Sequence, residues 1–238
     1  MAVRFLEKVQ ATLVALLRFL TRKTTPVLFS DLARLQPVST VFGLDRGTPV
    51  DRYYIERFLA ERADLIRGRV LEIGDSHYSR RFGGDKVEAF EVLHAVAGNP
   101  AATLVGDLTD PATLPQGTMD CFICTQTLNC IFDLQRSVAG AGHLLKPGGT
   151  LLVTVSGISQ VSRYDMERWG DYWRFTSASL GQLLLPVFGE VEVTSYGNLP
   201  AALAFLQGLA VEDLPDAALL DAVDADYPLV ICAVARKA

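Results

Sequence analysis

The stretch Arg69–Gly84, RVLEIGDSHYSRRFGG, runs from an apolar segment through an acid, Glu72, to a glycine, Gly74. A glycine at a strand end lets a backbone approach a ligand closely, and the amides that follow can bind a carboxylate or a ribose. A pyrophosphate would need further glycines at once, in the order G-x-G-x-x-G, because it must touch the start of the next helix. Here Asp75, Ser76, His77 and Tyr78 follow instead, and the next glycines wait until Gly83 and Gly84. A nicotinamide dinucleotide is therefore disfavoured, whereas a ligand without phosphate tolerates a loop rich in side chains. Two more polar positions end apolar runs. Asp107, in VGDL, can accept from an exocyclic amine such as that of adenine. Thr125 and Gln126, in TQT, fall at the centre of the same edge. A fourth cluster, GISQVSRYDMERWGDYWRFT (157–176), holds both tryptophans of the chain. Its aromatic faces with interleaved charges suit a sugar or a polar aromatic substrate, with Tyr164, Arg168, Trp169, Tyr172 and Arg174 as the binding wall. His77 and Asp165 are the candidate proton acceptors.

These residues must be positioned by a sheet. Seven apolar runs read as strands: RVLEIG, KVEAFEVLH, ATLVGDL, DCFICTQTL, GGTLLVTVSG, EVEVTSYG and YPLVICAVARK. VDRYYIERFLAERADLIRG has helical spacing and stops at Gly68, and IFDLQRSVAGAGHLLKPGG reads as a helix ending at Pro147. Apolar strands separated by helices predict a mostly parallel, doubly wound α/β sheet covered on both faces, with ligands at the carboxyl ends of its strands. The segment 201–226 reads as helical, its six acids forming a solvated face. Cys121 and Cys124 lie three apart on a strand and point to opposite faces, so they predict core packing rather than a metal site. No metal is expected.

The 238 residues carry a formal charge of −5, which argues against nucleic acid as the main partner. Residues 1–50 read as a helical and connector extension, and 51–238 as the domain. Val9–Leu20 is apolar but interrupted by Arg18 and too short to span a membrane. With five bases against one acid in residues 1–24, it predicts a helix packed over the domain or across a homodimer interface, ahead of membrane or partner docking. Free cysteines suit a reducing cytoplasm.

VLEIG, GDL, CTQTL and, most specifically, LLKPGGTLLVTV resemble the class I S-adenosylmethionine-dependent methyltransferases, over roughly Asp51 to the C-terminus. RYDMERWGDYWRFT resembles a segment of a small bacterial subgroup often associated with glycosyltransferase or natural-product loci. The resemblance implies a Rossmann-like sheet of order 3-2-1-4-5-7-6 with strand seven antiparallel, and S-adenosyl-L-methionine as cofactor. It implies that Glu72 and Gly74 meet the methionine part, with Asp75 and Ser76 beside them. Asp107 and Leu108 contact adenine, and Thr125 and Gln126 floor the pocket. His94, at the end of strand two where the family usually has an acid, would bond the ribose. Arg52 would meet the cofactor carboxylate and Tyr53 its methionine moiety. The implied activity is methyl transfer to oxygen on a small molecule such as a sugar, glycoside or natural-product intermediate. Two alternatives stand beside it: a non-methylating member of the fold, and a scaffold protein docking through its basic N-terminal helix.

Overall fold

A computed structural model describes residues 35–238, of which Pro37–Ala238 form one compact unit. The helix expected over Val9–Leu20 lies outside the described residues. The chain enters through a connector and forms α1 (Val50–Glu61), whose buried face carries Tyr54, Ile55, Phe58 and Leu59 at helical spacing. β1 (Gly68–Ile73), β2 (Val87–His94), β3 (Leu104–Val105) and β4 (Met119–Thr125) follow. α2 (Leu134–Leu144) starts where the Asp133 carboxylate accepts from Arg136 N–H, and leads to β5 (Leu145–Ser156). The rest is α3 (Arg163–Arg168), α4 (Ser177–Leu184), β6 (Glu190–Tyr196), α5 (Leu199–Leu206) and β7 (Val230–Arg236).

The seven strands form one sheet in the order β3-β2-β1-β4-β5-β7-β6, with β7 antiparallel to both its neighbours and the remaining pairs parallel. This is the expected doubly wound topology. Side chains alternate across β4, and each face of the sheet has its own core. Phe122 and Cys124 pack with Leu151, Val153 and Phe188, whereas Cys121 and Ile123 pack with Phe58, Leu152 and Phe205. The two cysteines thus point to opposite faces, as their spacing predicts. Among the described residues, no helix is long and apolar enough to cross a membrane.

Three local expectations are corrected. α2 ends at Leu144 rather than at Pro147, because β5 already pairs with β4 at Leu145 and Lys146–Gly149 is a bulge between two registers. The stretch 201–226 is helical only to Leu206. Beyond it the acids cap short turns, Asp216 accepting from Ala218 N–H and Asp224 from Asp226 N–H, which competes with helix formation. No long helix follows β1 either: the crossover to β2 is a π-type turn, Ser79–Gly83, and a 3-10 turn, Gly84–Lys86.

The connector is strapped to the loop after α5. Val38 and Ser39 N–H donate to the Gln207 carbonyl. Arg46 makes two bonds of 2.7 Å to Asp213, and Thr48 N–H and Oγ1 both donate to Glu212 at 2.8 Å. The strap holds Phe42, Leu44 and Pro49 beside the carboxyl ends of the strands.

Candidate active site

The loop after β1 carries its own anion. Glu72 is buried at the end of β1, and its carboxylate accepts the N–H groups of Tyr78 at 3.0 Å and Ser79 at 2.9 Å. Burial pushes its pKa up, and the two N–H groups oppose that rise. The amides that would receive a phosphate at such a turn are occupied by a protein carboxylate. Asp75 caps the same turn by accepting from His77 N–H at 2.8 Å. Gly74 is favoured by its φ of +82°, which residues with a side chain rarely adopt; a Cβ there would meet nothing within 4 Å, so its backbone faces open space. Its N–H bonds to the Leu93 carbonyl, and its own carbonyl accepts from Asn99 at 2.6 Å, which fixes the peptide.

Two lobes open at the carboxyl ends of the strands. The outer lobe, about 560 Å³, lies over β1, β2 and β4 and is lined by Gly74, His94, Asp107, Leu108, Phe132 and Trp169, among others. Asp107 Oδ1 accepts from Thr109 N–H and Oγ1, and Leu108 is buried beneath it. His94 Nδ1 lies 2.7 Å from the Val96 carbonyl, and its ring stands edge-on to Trp169 at 5.4 Å. Glu91, the acid nearest the end of β2, is tied to Arg69 and Thr103. Tyr172 also lines this lobe, packed edge-on against Phe132 at 5.5 Å.

The inner lobe, about 450 Å³, is walled by the strap, the start of α1, the loop after β1 and the segment after β5. Arg52, Glu72, Asp75, His77, Thr125 and Arg174 line it. Ile73, Gln126, Cys130 and Asp165 line both lobes and mark where they meet. Of the expected wall residues, Arg174 is committed to the protein itself: it chelates Asp171 at 2.5 and 2.8 Å and donates to the carbonyls of Ser159, Gln160 and Trp173. Burial raises the pKa of Asp171, but the guanidinium and the Ser162 N–H outweigh it, and the net shift is downward.

Four expected residues lie off both lobes. Tyr53 points away because successive helix residues turn by about 100°, and its hydroxyl bonds Asp221 at 3.1 Å. Ser76 accepts from Arg80 Nε at 2.9 Å. Tyr164 and Arg168 pack on each other on the outer side of α3, the guanidinium 3.6 Å from the ring centre.

Two inner-lobe features escape sequence reasoning. Asp51, in the first turn of α1, lines the lobe, and burial raises its carboxyl pKa to about 6. Its carboxylate accepts from Arg52 N–H at 2.7 Å. In sequence it reads as an ordinary helix-start acid. The second is an amide network. Gln126 Oε1 accepts from Ser156 Oγ at 2.7 Å and from Asn129 Nδ2 at 3.4 Å, leaving its Nε2 buried without a partner among the described residues. An unpaired buried donor costs about 1–3 kcal/mol. Cys130, at the junction, has its thiol pKa pushed up to about 12 by burial, which makes it a poor nucleophile.

Comparison with known proteins gives this arrangement its class. Residues 68–153 match the model of a family described as Methyltransferase domain, and no curated protein sequence matches the chain. The S-adenosylmethionine dependent methyltransferase of Mesorhizobium loti superimposes with a TM-score of 0.54 at 16% identity, covering 82% of this chain and 100% of that one. Phosphoethanolamine N-methyltransferase 2 of Haemonchus contortus, solved with S-adenosyl-L-methionine, gives 0.53 at 15% identity over 91% and 61% of the two chains. The cyclase SpnF gives 0.52 at 18% identity over 81% and 83%. The class is that of the doubly wound sheet with order 3-2-1-4-5-7-6, the class I methyltransferase fold. The domain match runs from β1 into β5, and the solved neighbours share the fold of the whole sheet.

Proposed function

We propose that the chain transfers a methyl group from S-adenosyl-L-methionine to an oxygen of a small polar molecule. The observation that carries this reading is the open backbone of Gly74 in the outer lobe, next to Ile73 where the two lobes meet, with Glu72 as internal anion in the turn beside it. That combination admits a cofactor with no phosphate and leaves room on both sides. Asp107 and Leu108 would hold the adenine, and His94 the ribose. Gly74 and Asp75 would hold the methionine part, with the Arg52 guanidinium for its carboxylate and Thr125 and Gln126 as the floor. When bound, the cofactor supplies a methyl group that passes to an acceptor lone pair while the carbon–sulfur electron pair returns to sulfur. The chain's own task is to align the acceptor and keep bulk water out, since alignment supplies much of the rate of such a displacement.

The acceptor would enter the inner lobe beside His77, Asp165 and Arg174, while Trp169 and Tyr172 belong to the outer lobe. A hydroxyl acceptor needs its proton removed, and Asp165 and His77 are the groups for that role. Free, buried cysteines favour a reducing compartment such as the cytoplasm, and the lobe volumes favour a small-molecule acceptor of natural-product or glycoside type.

Calorimetry with S-adenosylhomocysteine tests the reading. Micromolar binding weakened at least tenfold in Asp107→Ala supports it, and no binding by the unaltered chain sinks it. A second reading, a non-methylating member of the fold, is favoured by one observation: β2 ends without a free acid, since Glu91 is bonded to Arg69. The neighbour SpnF, a cyclase, illustrates such a use of this fold. Cofactor binding with no acceptor of any class methylated would favour it.

A further inference from the structure

Gln126 stands at the junction of the lobes, and its side-chain amide is oriented by a network that leaves one end unused. Asn129 Oδ1 accepts the Ser156 N–H at 3.4 Å, which turns Asn129 Nδ2 toward Gln126 Oε1, also at 3.4 Å. Ser156 Oγ donates to that same oxygen at 2.7 Å. The reversed amide would set the two NH2 groups of Gln126 and Asn129 against each other, so the orientation follows from the network. The backbone of Gln126 is held as firmly. Its φ of +49° is uncommon for a residue with a side chain, and its N–H is fixed to the Thr154 carbonyl of β5 at 2.8 Å. A strained residue, a set amide and a buried Nε2 that has no partner among the described residues coincide where the two lobes join.

We propose that the Gln126 NH2 group receives the acceptor atom, donating a hydrogen bond to a lone pair of a hydroxyl or carboxylate oxygen and so selecting oxygen over nitrogen. The inference rests on the methyltransferase reading above and names the acceptor class of that same site. An NH2 group can only donate. An oxygen has two lone pairs, one for Gln126 and one for the methyl group. A neutral amine has one, which it cannot give to both, and an ammonium has none. As the acceptor's oxygen–carbon bond forms, the carbon–sulfur bond breaks with its electron pair on sulfur, and a hydroxyl proton passes to the Asp165 carboxylate, which borders both lobes.

The test uses the full chain, S-adenosylmethionine, and a panel of catechol, 4-hydroxybenzoate and methyl glucoside against benzylamine and aniline. The readouts are S-adenosylhomocysteine formed and calorimetric affinity of each panel compound in the presence of S-adenosylhomocysteine. The expected result is methylation of at least one oxygen compound, with Gln126→Leu lowering its kcat/KM by about 10- to 100-fold and weakening its binding. Because Gln126 also floors the proposed cofactor pocket, affinity for S-adenosylhomocysteine should fall as well, but by less than the affinity for the acceptor; an equal loss of both overturns the inference. Gln126→Glu keeps the shape, and it should be poor at pH 8 and recover as the pH falls and its carboxyl regains a proton to donate, a recovery that Gln126→Leu lacks. Methylation of amines only, or of no oxygen compound, overturns the inference, as does unchanged acceptor binding and turnover in both variants. Failure of the unaltered chain to bind S-adenosylhomocysteine instead removes the reading on which it rests.

Discussion

Replacing Asp51 by asparagine separates the stability of this fold from the work of its cleft. Burial lifts the Asp51 carboxyl from an ordinary 3.8 to about 6. The folded chain thus holds this proton more tightly by about 2 pH units, or about 3 kcal/mol at 1.36 kcal/mol per unit. A raised acid pKa means that the folded state binds more protons than the unfolded one between the two values. Stability from this group is therefore lost as pH rises from about 4 to about 6, and the penalty is fully present above that. Asparagine keeps the size and the oxygen that accepts from Arg52 N–H, but gives up the attraction of an acid for the start of α1, about 0.3–1 kcal/mol. A net gain of about 2 kcal/mol at pH 8 remains, or about 4–8 °C in Tm for a domain of this size. Thermal unfolding followed by circular dichroism, at pH 8 and pH 4, measures it. The variant should be more stable at pH 8 and indistinguishable at pH 4. No gain at pH 8, or an equal gain at both, refutes the reasoning. A strongly shifted acid lining a cleft is a candidate for a ligand-binding role, and the expected outcome is that the same variant loses turnover while gaining stability.

Two further substitutions address the frame of the cleft. Glu72→Gln keeps one oxygen for Tyr78 or Ser79 N–H but turns an NH2 group toward the other, at a cost of about 2–4 kcal/mol. Urea unfolding should show the midpoint falling, with S-adenosylhomocysteine affinity falling too as the Gly74 loop loosens. Asp213 is held near a pKa of about 2, chiefly by its bond to Arg46, so the strap stays charged at all ordinary pH. Asp213→Asn should speed proteolytic cleavage within residues 37–49 while barely moving the Tm, because an exposed ion pair contributes little to global stability.

The sheet is easy to read from the sequence because its central strands are buried on both faces. VLEI, CFIC and LLVTV are mainly apolar runs bounded by glycine or polar residues, and burial leaves them few alternatives. β3 is harder: ATLVGDL yields a strand of two residues, because Gly106 and Asp107 already turn into a loop held by Thr113. Positions at strand ends, such as Gly74, Asp107 and Gln126, follow from topology, since every parallel strand delivers its carboxyl end to one edge. What a side chain does there does not follow. Tyr53 and Arg52 are neighbours in sequence, yet only Arg52 lines the cleft, and the side on which each falls depends on where α1 rests against Tyr196 and Asp221. The Arg46–Asp213 strap joins residues 167 apart, a pairing that no local pattern announces.

The same distinction explains why a loop with few glycines still suits this fold. In a dinucleotide site the turn after the first strand leaves its amides free for a phosphate, and glycines let that phosphate come close. Here the acid that ends β1 folds back and takes the amides of Tyr78 and Ser79, so the anion of the turn is covalently part of the chain. With the negative charge supplied internally, a bound phosphate would add a second one at the same place. A methionine part without phosphate would add none, and its carboxylate could go to Arg52, as proposed above. The side chains of Asp75 and His77 then become available to the inner lobe instead of obstructing a phosphate. The scarcity of glycines and the buried acid belong together: with the amides of the turn closed by Glu72, its outer side chains are left to face the inner lobe.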